Sequence, residues 1–279
     1  LIAAIAWGVH DILVRYVSRS IGILTSLIVV LTFGGLVWAL VVFLFGDFSQ
    51  LDQRSVLLSL SAGIAFAVAS VGHYNAFAKG PVRLVAPLIG VFAVLSFAFA
   101  AIAGEAISAL QWITVFALVA GIALISRKHE TDTEIFSMPV VIGWCTMAMV
   151  GFAVTFALGQ AASAHSDPLA SGLITRTTAI FLVGIVFFVA HRRSGEKLRM
   201  PTGKQLPVLA LMGLLDAIAL GTVLTAGIYP HPEYASAASS IFGLVTVLLA
   251  WVFLKEAINV TQWLGVLVIF TSIAYLAAS

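Results

Sequence analysis

The chain has 279 residues, of which 61% are hydrophobic and 9% are charged, with a net charge of +2. Soluble domains carry about 25% charged residues, so the composition excludes a soluble protein and is typical of one embedded in a lipid bilayer. The small net charge and the lack of a basic stripe argue against a nucleic-acid partner. A single cysteine, Cys145, excludes internal disulfides and cysteine metal clusters.

Apolar runs between polar breaks predict ten membrane-spanning helices, since a bilayer core needs about 20 apolar residues per helix. The polar stretch 127–134 divides them into two five-helix domains, at 1–130 and 135–279. No signal peptide is evident, and because Leu1 lies inside an apolar run we expect further residues ahead of it. The predicted segments are 1–17, 20–46, 55–78, 82–103 and 109–126 in the first half, and 139–161, 168–190, 206–229, 232–254 and 260–277 in the second.

The two halves share a repeated phrase after their fourth segments. Glu-Ala-Ile and Gln-Trp occur in residues 105–112 and again in residues 256–263, at an offset of 151. Pro81 and Pro232 align at the same offset. Five helices are an odd number, so the second half must enter the membrane from the opposite side. The sequence therefore predicts an all-α membrane protein made of two inverted five-helix repeats around a central cavity, as in many secondary transporters.

The basic residues predict an orientation. Loops after the odd-numbered segments hold twelve of the fourteen Lys and Arg residues, five of them between Arg192 and Lys204. Short loops rich in Lys and Arg stay cytoplasmic. Both termini are therefore expected outside the cytoplasm.

Three formally charged residues lie well inside the predicted segments: Asp11, Arg176 and Asp216. Such residues are costly in a bilayer and usually face the bundle interior or water. Asp11 has Arg15 one turn later, which permits a local ion pair. Arg176 and Asp216 lie in neighbouring segments and either neutralise each other or face the solute. The candidates for proton coupling are His10, Asp11, His73 and Asp216, and Arg176 is a further candidate for charge coupling.

Polar and aromatic groups suggest where a solute binds. The third segment ends with His73, Tyr74 and Asn75, and Trp7 lies mid-segment beside a glycine. Tyr74 near a helix end is also typical of an interfacial anchor. The substrate-binding candidates are Trp7, His73, Tyr74, Asn75, Ser239 and Ser240. The chain has no phosphate-binding glycine loop and no hydrolase or zinc-protease motif, so we expect no enzyme activity, no cofactor and no metal.

Ten segments with Glu105 and Glu256 closing the two fourth helices before a Gln-Trp, and Ala6-Trp7-Gly8 in the first, resemble the EamA-like branch of the drug/metabolite transporter superfamily. Within it the chain is most similar to bacterial amino-acid exporters of the YddG type. The resemblance implies a central cavity formed largely by the first, third, fourth, sixth, eighth and ninth segments. The chain departs from the family pattern at Phe92, where members often have proline. Its predicted orientation also differs, since members usually keep the N-terminus in the cytoplasm. Glu105 and Glu256 are expected to fix loops.

The leading hypothesis is a secondary transporter in a bacterial inner membrane, which exports amino acids or similar small metabolites by alternating access. We expect it to pass the membrane many times and to be a monomer, with only the bilayer and a small-molecule substrate as partners. One alternative is a multispecific exporter of organic cations, in which Asp11 or Asp216 near aromatic rings holds the cation. Another is a membrane enzyme acting on lipid, for which the sequence shows no polar constellation at the interface.

Overall fold

The computed structural model describes residues 1–102, 108–125, 136–194, 200–256 and 258–278. Helices make up nearly all of these residues, because the apolar runs leave the backbone no water to bond with and a helix satisfies it internally. The helices are α1 (Ile2–Ile21), α2 (Ile23–Phe45), α3 (Gln53–Lys79), α4 (Val82–Gly90), α5 (Phe92–Ile102), α6 (Ala109–Ile125), α7 (Met138–Ser163), α8 (Pro168–Ser194), α9 (Leu206–Thr225), α10 (Glu233–Ser239), α11 (Phe242–Leu249) and α12 (Val260–Ala278).

Each of the ten predicted segments coincides with a helix or a pair of helices, and the bounds agree within five residues. Among the described helices, six stretches are long and apolar enough to cross a membrane by length and composition. They are Ile23–Phe45, Gln53–Lys79, Met138–Ser163, Pro168–Arg193, Leu206–Ile228 and Glu233–Leu254. Ten spans therefore stay a prediction, while a multi-pass, all-helical membrane protein is shown.

The fourth and ninth segments are both interrupted, which the sequence did not predict. The fourth breaks between α4 and α5 at Val91, four residues after Pro87. The ninth breaks between α10 and α11 at residues 240–241, so the two breaks match within one residue at the offset of 151. In the ninth segment the hydroxyls of Ser239 and Ser240 donate to carbonyl oxygens three residues back, which competes with the helical ladder. A proline and a serine pair thus interrupt the two halves at equivalent places.

The helices of one half pack on those of the other. Helix α1 packs on α9 and α11, while α7 packs on α3, α4 and α5. The interrupted segments meet crosswise, α4 against α11 and α5 against α10, so the start of one lies beside the end of the other. This antiparallel pairing is expected of inverted repeats, and it supports that prediction.

Small residues bring α3 and α7 into close contact. A Cβ added at Gly72 would lie 2.8 Å from the Ala148 backbone nitrogen and 2.9 Å from the Trp144 carbonyl oxygen. One at Gly151 would lie 2.7 Å from the Ala69 Cβ. Helix backbones approach this closely in membranes where glycine or alanine lines the contact.

The repeated phrase caps helices. The Ser108 backbone N–H donates to Gln111 Oε1 at 2.7 Å, and the Gln111 N–H donates to Ser108 Oγ at 3.3 Å. Asn259 and Gln262 make the same reciprocal pair at the start of α12, at 3.2 and 2.7 Å. These are capping boxes.

The Glu256 carboxylate caps a helix of the other half. It accepts from the backbone N–H groups of Val82 and Arg83, both at 2.9 Å, where a helix N-terminus favours negative charge. Its position agrees with the expected loop-fixing role. Glu105, its counterpart, lies outside the described residues.

The inverted-repeat prediction can be tested by labelling from each side. We expect single cysteines at Ser108 and Asn259, in a Cys145→Ala background, to react with an impermeant reagent from opposite membrane faces, Asn259→Cys from the cytoplasmic one. Both positions are helix caps, so the two variants lose an equivalent interaction of about 1 kcal/mol and are matched. Reaction of both from one face would contradict the inverted repeat, and reaction of Asn259→Cys from outside would reverse the orientation.

Candidate functional site

A narrow cavity lies in the middle of the bundle, between both halves. Its lining comes from α1, α2, α3, α5, α7, α9 and α11, which adds the second segment to the six that the family resemblance implies. About 440 Å³ of space lies between the lining atoms, but most gaps are narrower than a water molecule. The cavity therefore has room for about one water. The lining residues are Trp7, His10, Leu27, Val30, Leu31, Phe66, Ser70, His73, Tyr74, Phe92, Phe152, Phe156, Asp216 and Phe242.

Six aromatic side chains, here called the aromatic cage, form one part of this lining: Trp7, Phe66, Phe92, Phe152, Phe156 and Phe242. The indole of Trp7 stacks on Phe156 with ring centroids 5.6 Å apart, and Phe152 stacks on Phe156 at 5.9 Å. Phe92 is parallel to Phe242 at 6.1 Å, across the two helix breaks. Rings at such spacings attract one another and present π faces that also attract cations.

The first charged group in the wall is Asp216 on α9. It forms a salt bridge with Arg176 Nη1 through Oδ2 and accepts from Trp7 Nε1 through Oδ1 at 3.2 Å. Asp216 lines the cavity, whereas Arg176 is fully buried behind it and reaches the Leu31 carbonyl oxygen through Nε at 3.3 Å. Gly34 of α2 makes room for the guanidinium, since a Cβ there would collide with Nη2. Of the two roles considered for this pair, the salt bridge corresponds to mutual neutralisation of the two charges.

The second polar cluster surrounds Asp11 on α1. Its Oδ1 lies 3.2 Å from His10 Nδ1 and 3.0 Å from His73 Nε2. Its Oδ2 lies 3.4 Å from Thr246 Oγ1, and the Tyr74 hydroxyl lies 3.3 Å from His10 Nε2. Asp11 is fully buried, and the two imidazoles separate it from the cavity that they line.

Arg15, which the sequence suggested as a partner for Asp11, forms hydrogen bonds with the end of α3. Its Nη1 donates to the carbonyl oxygens of Phe77 and Ala78 at 2.8 and 3.2 Å. These carbonyls belong to the last turn of α3, where cations are favourable. The interfacial-anchor interpretation of Tyr74 does not fit its environment, because its side chain is buried and its hydroxyl meets His10.

Three of the candidate binding residues lie away from the cavity lining. The Asn75 amide donates to the Val71 carbonyl oxygen and its Oδ1 accepts from Lys79 Nζ, both at 2.9 Å. Ser239 and Ser240 bond to their own helix. Trp7, His73 and Tyr74 do line the cavity, as do His10 and Asp216 among the coupling candidates. Their roles in binding and in coupling stay predictions.

The sequence did not indicate the five phenylalanines of the cage as cavity residues, and Phe92 stood out only as a departure from the family pattern. Phe152 and Phe156 are four residues apart and so share a face of α7, which was a usable signal. The chain has 19 phenylalanines, however, and helical spacing alone does not distinguish a cavity wall from a lipid-facing stripe.

Residues 140–278 match the family described as the EamA-like transporter family. The second half of the chain is similar to this transporter family. This match supports membership of the drug/metabolite transporter superfamily and suggests a membrane transporter of small solutes.

The fold of the whole chain is similar to that of a protein of known structure. A crystal structure superposes on 100% of the EamA-like chain and on 94% of its own, with a TM-score of 0.74 at 14% sequence identity. At that identity the likeness shows the fold alone. No sequence among curated proteins matches the chain.

Proposed function

We propose that this EamA-like protein exports amino acids with neutral, above all aromatic, side chains across a bacterial inner membrane by alternating access. The observation that carries the proposal is the central cavity, where the aromatic cage adjoins the Asp216 carboxylate. The cage fits a bulky apolar or aromatic side chain. Asp216 fits an ammonium group, while the imidazoles of His10 and His73 offer N–H donors to a carboxylate.

The state of the cavity supports alternating access. Space for about one water does not admit an amino acid, so the helices must separate before a solute enters. A wider cleft of about 900 Å³ lies between α5, α7 and α10, lined among others by Ala157, Gln160 and Glu233. Phe156 lines the cavity and Ala157 and Gln160 line the cleft, so about one turn of α7 separates the two spaces. The interrupted segments border both, and we propose that they open this passage.

One observation favours the second candidate, export of organic cations. Of the three charged side chains well inside the predicted segments, Asp216 alone lines the cavity, and Arg176 is buried behind it. A carboxylate within an aromatic cage attracts a cation without needing a carboxylate on the solute.

Counterflow in proteoliposomes separates the two candidates. The panel shares one phenyl ring and varies the charges: phenylalanine, phenethylamine, 3-phenylpropionate and benzyltrimethylammonium. We expect phenylalanine to exchange and 3-phenylpropionate to fail, because the latter lacks an ammonium for Asp216. Exchange of phenethylamine and benzyltrimethylammonium with no exchange of phenylalanine would replace the amino-acid proposal with the cation exporter. Liposomes without protein are the control.

A further inference from the structure

Three side chains beside the cavity bring metal-binding atoms to one point. Nδ1 of His10, a carboxylate oxygen of Asp11 and a ring nitrogen of His73 all lie within 4.8 Å of one another, and all three residues are buried. We propose that they form a binding site for a divalent transition-metal ion of the Zn²⁺ class. Two imidazoles and one carboxylate are a donor set that such ions take in proteins.

The distances suit a shared ion. Zn²⁺ binds imidazole nitrogen and carboxylate oxygen at about 2.0–2.2 Å, so two ligand atoms at angles of about 90–110° are about 2.8–3.6 Å apart. Asp11 Oδ1 is 3.2 Å from His10 Nδ1 and 3.0 Å from His73 Nε2. Both values fall inside that range. The third distance, between the two ring nitrogens, is at most 4.8 Å, and binding of an ion requires it to come within the same range.

The orientation of His73 distinguishes an ion site from a hydrogen-bonded cluster. Its side chain is 8% exposed, and neither ring nitrogen has a hydrogen-bond partner among the described residues. Nε2 lies 3.0 Å from Asp11 Oδ1, but this contact does not meet the geometry of a hydrogen bond. Burial of a polar group without a hydrogen bond costs about 1–3 kcal/mol. A metal ion that takes the Nε2 lone pair removes this cost at that atom.

The surrounding groups support two of the three ligands, His10 and Asp11, as they do in known sites. Metal-binding histidines usually engage their second nitrogen with a nearby polar group, which fixes the ring. His10 Nε2 lies 3.3 Å from the Tyr74 hydroxyl. The second oxygen of Asp11 lies 3.4 Å from Thr246 Oγ1 on α11. The site therefore joins α1 and α3 of the first half to α11 of the second.

Three protein ligands leave a position for one more donor. A tetrahedral ion accepts a fourth ligand, as catalytic zinc sites do with water. His10 and His73 both line the cavity, so the open position faces the space where a solute would lie. A bound ion would replace the imidazole N–H groups as the partner of a solute carboxylate. Binding of the ion itself requires no solute, so it is tested apart from the amino-acid proposal.

Binding of Co²⁺ to purified protein tests the site. Co²⁺ reports a low-coordinate nitrogen and oxygen site through strong visible d–d absorption. The protein is purified in detergent without a histidine tag, and Co²⁺ is titrated and then displaced with Zn²⁺. We expect one equivalent of Co²⁺ to develop these bands and Zn²⁺ to abolish them. Absence of saturable bands in the wild-type protein would overturn the proposal, whatever the transport assay gives.

Variants locate the bound ion. Asp11→Asn and His73→Gln each remove one ligand and should weaken binding at least tenfold. His165→Gln and His231→Gln are matched controls, since both histidines are exposed and lie outside the cavity lining, and they should bind as the wild type does. Tyr74→Phe removes only the contact to His10 and should weaken Co²⁺ binding about 10–100-fold. This variant still tests the site if the ligand variants do not fold. Unchanged affinity in His73→Gln or in Tyr74→Phe would refute these ligands.

Discussion

Arg176→Met should leave little folded protein. The substitution deprives the buried Asp216 of its salt bridge, so that Trp7 Nε1 is its one remaining described hydrogen-bond donor. Breaking a buried pair on one side costs about 3–5 kcal/mol, a large part of the usual stability of a domain. The measurement is the yield and thermal midpoint of the monodisperse protein after detergent extraction.

The double variant Arg176→Met/Asp216→Leu is the decisive companion. It removes both charges and keeps similar volumes, and replacing such a pair with apolar residues is often neutral or stabilising. We therefore expect it to recover folded protein, with transport lost because the wall carboxylate is gone. Arg193→Met, an exposed position on the same helix, is the matched control and should change nothing. A well-folded Arg176→Met single variant would show that the pair is not structural.

Trp7→Ala should abolish most transport. The indole stacks on Phe156 and donates to Asp216, so its removal opens the cage and also withdraws a donor from a buried carboxylate. The lost apolar contact is worth about 1.5–3 kcal/mol, a ten- to hundredfold loss of solute affinity. The measurement is the concentration dependence of counterflow per folded protein.

Two tryptophan variants separate the loss of the aromatic ring from the loss of the N–H donor and from a general loss of stability. Trp7→Phe keeps a ring and loses only the N–H, and it should retain much of the affinity that Trp7→Ala loses. Trp38→Phe is the matched control, because Trp38 is equally buried and donates to the Leu169 carbonyl oxygen outside the cavity lining. It should lower stability and leave affinity unchanged. Equal affinities in Trp7→Ala and the wild type would place the solute elsewhere.

Local patterns predicted the helices well and the site only in part. Apolar runs set the helix bounds, because the bilayer leaves the backbone one way to satisfy its hydrogen bonds. Arg176 and Asp216 were recognisable as partners, because few charges occur inside the segments. The approach of His73 to Asp11 joins positions 62 residues apart and depends on how α1 and α3 pack, which no spacing in the sequence encodes.

Three residues that the sequence suggested for the site lie outside the cavity lining. Ser239, Ser240 and Asn75 are polar residues in apolar helices, which suggested a cavity. Each instead bonds to a carbonyl oxygen three or four residues back in its own helix. This local bond is available to such side chains in any helix, so their polarity alone does not indicate which way they face.

The crosswise packing of the halves decides what the smallest folding unit is. Helix α1 rests on α9 and α11, and α7 rests on α3, α4 and α5, while Glu256 of one half caps α4 of the other. The first half produced alone would expose α1, α3 and the uncapped start of α4 to lipid, and the second half would expose α7, α9 and α11. Two separately encoded fragments, divided within residues 126–135, should each be degraded alone and accumulate only when produced together.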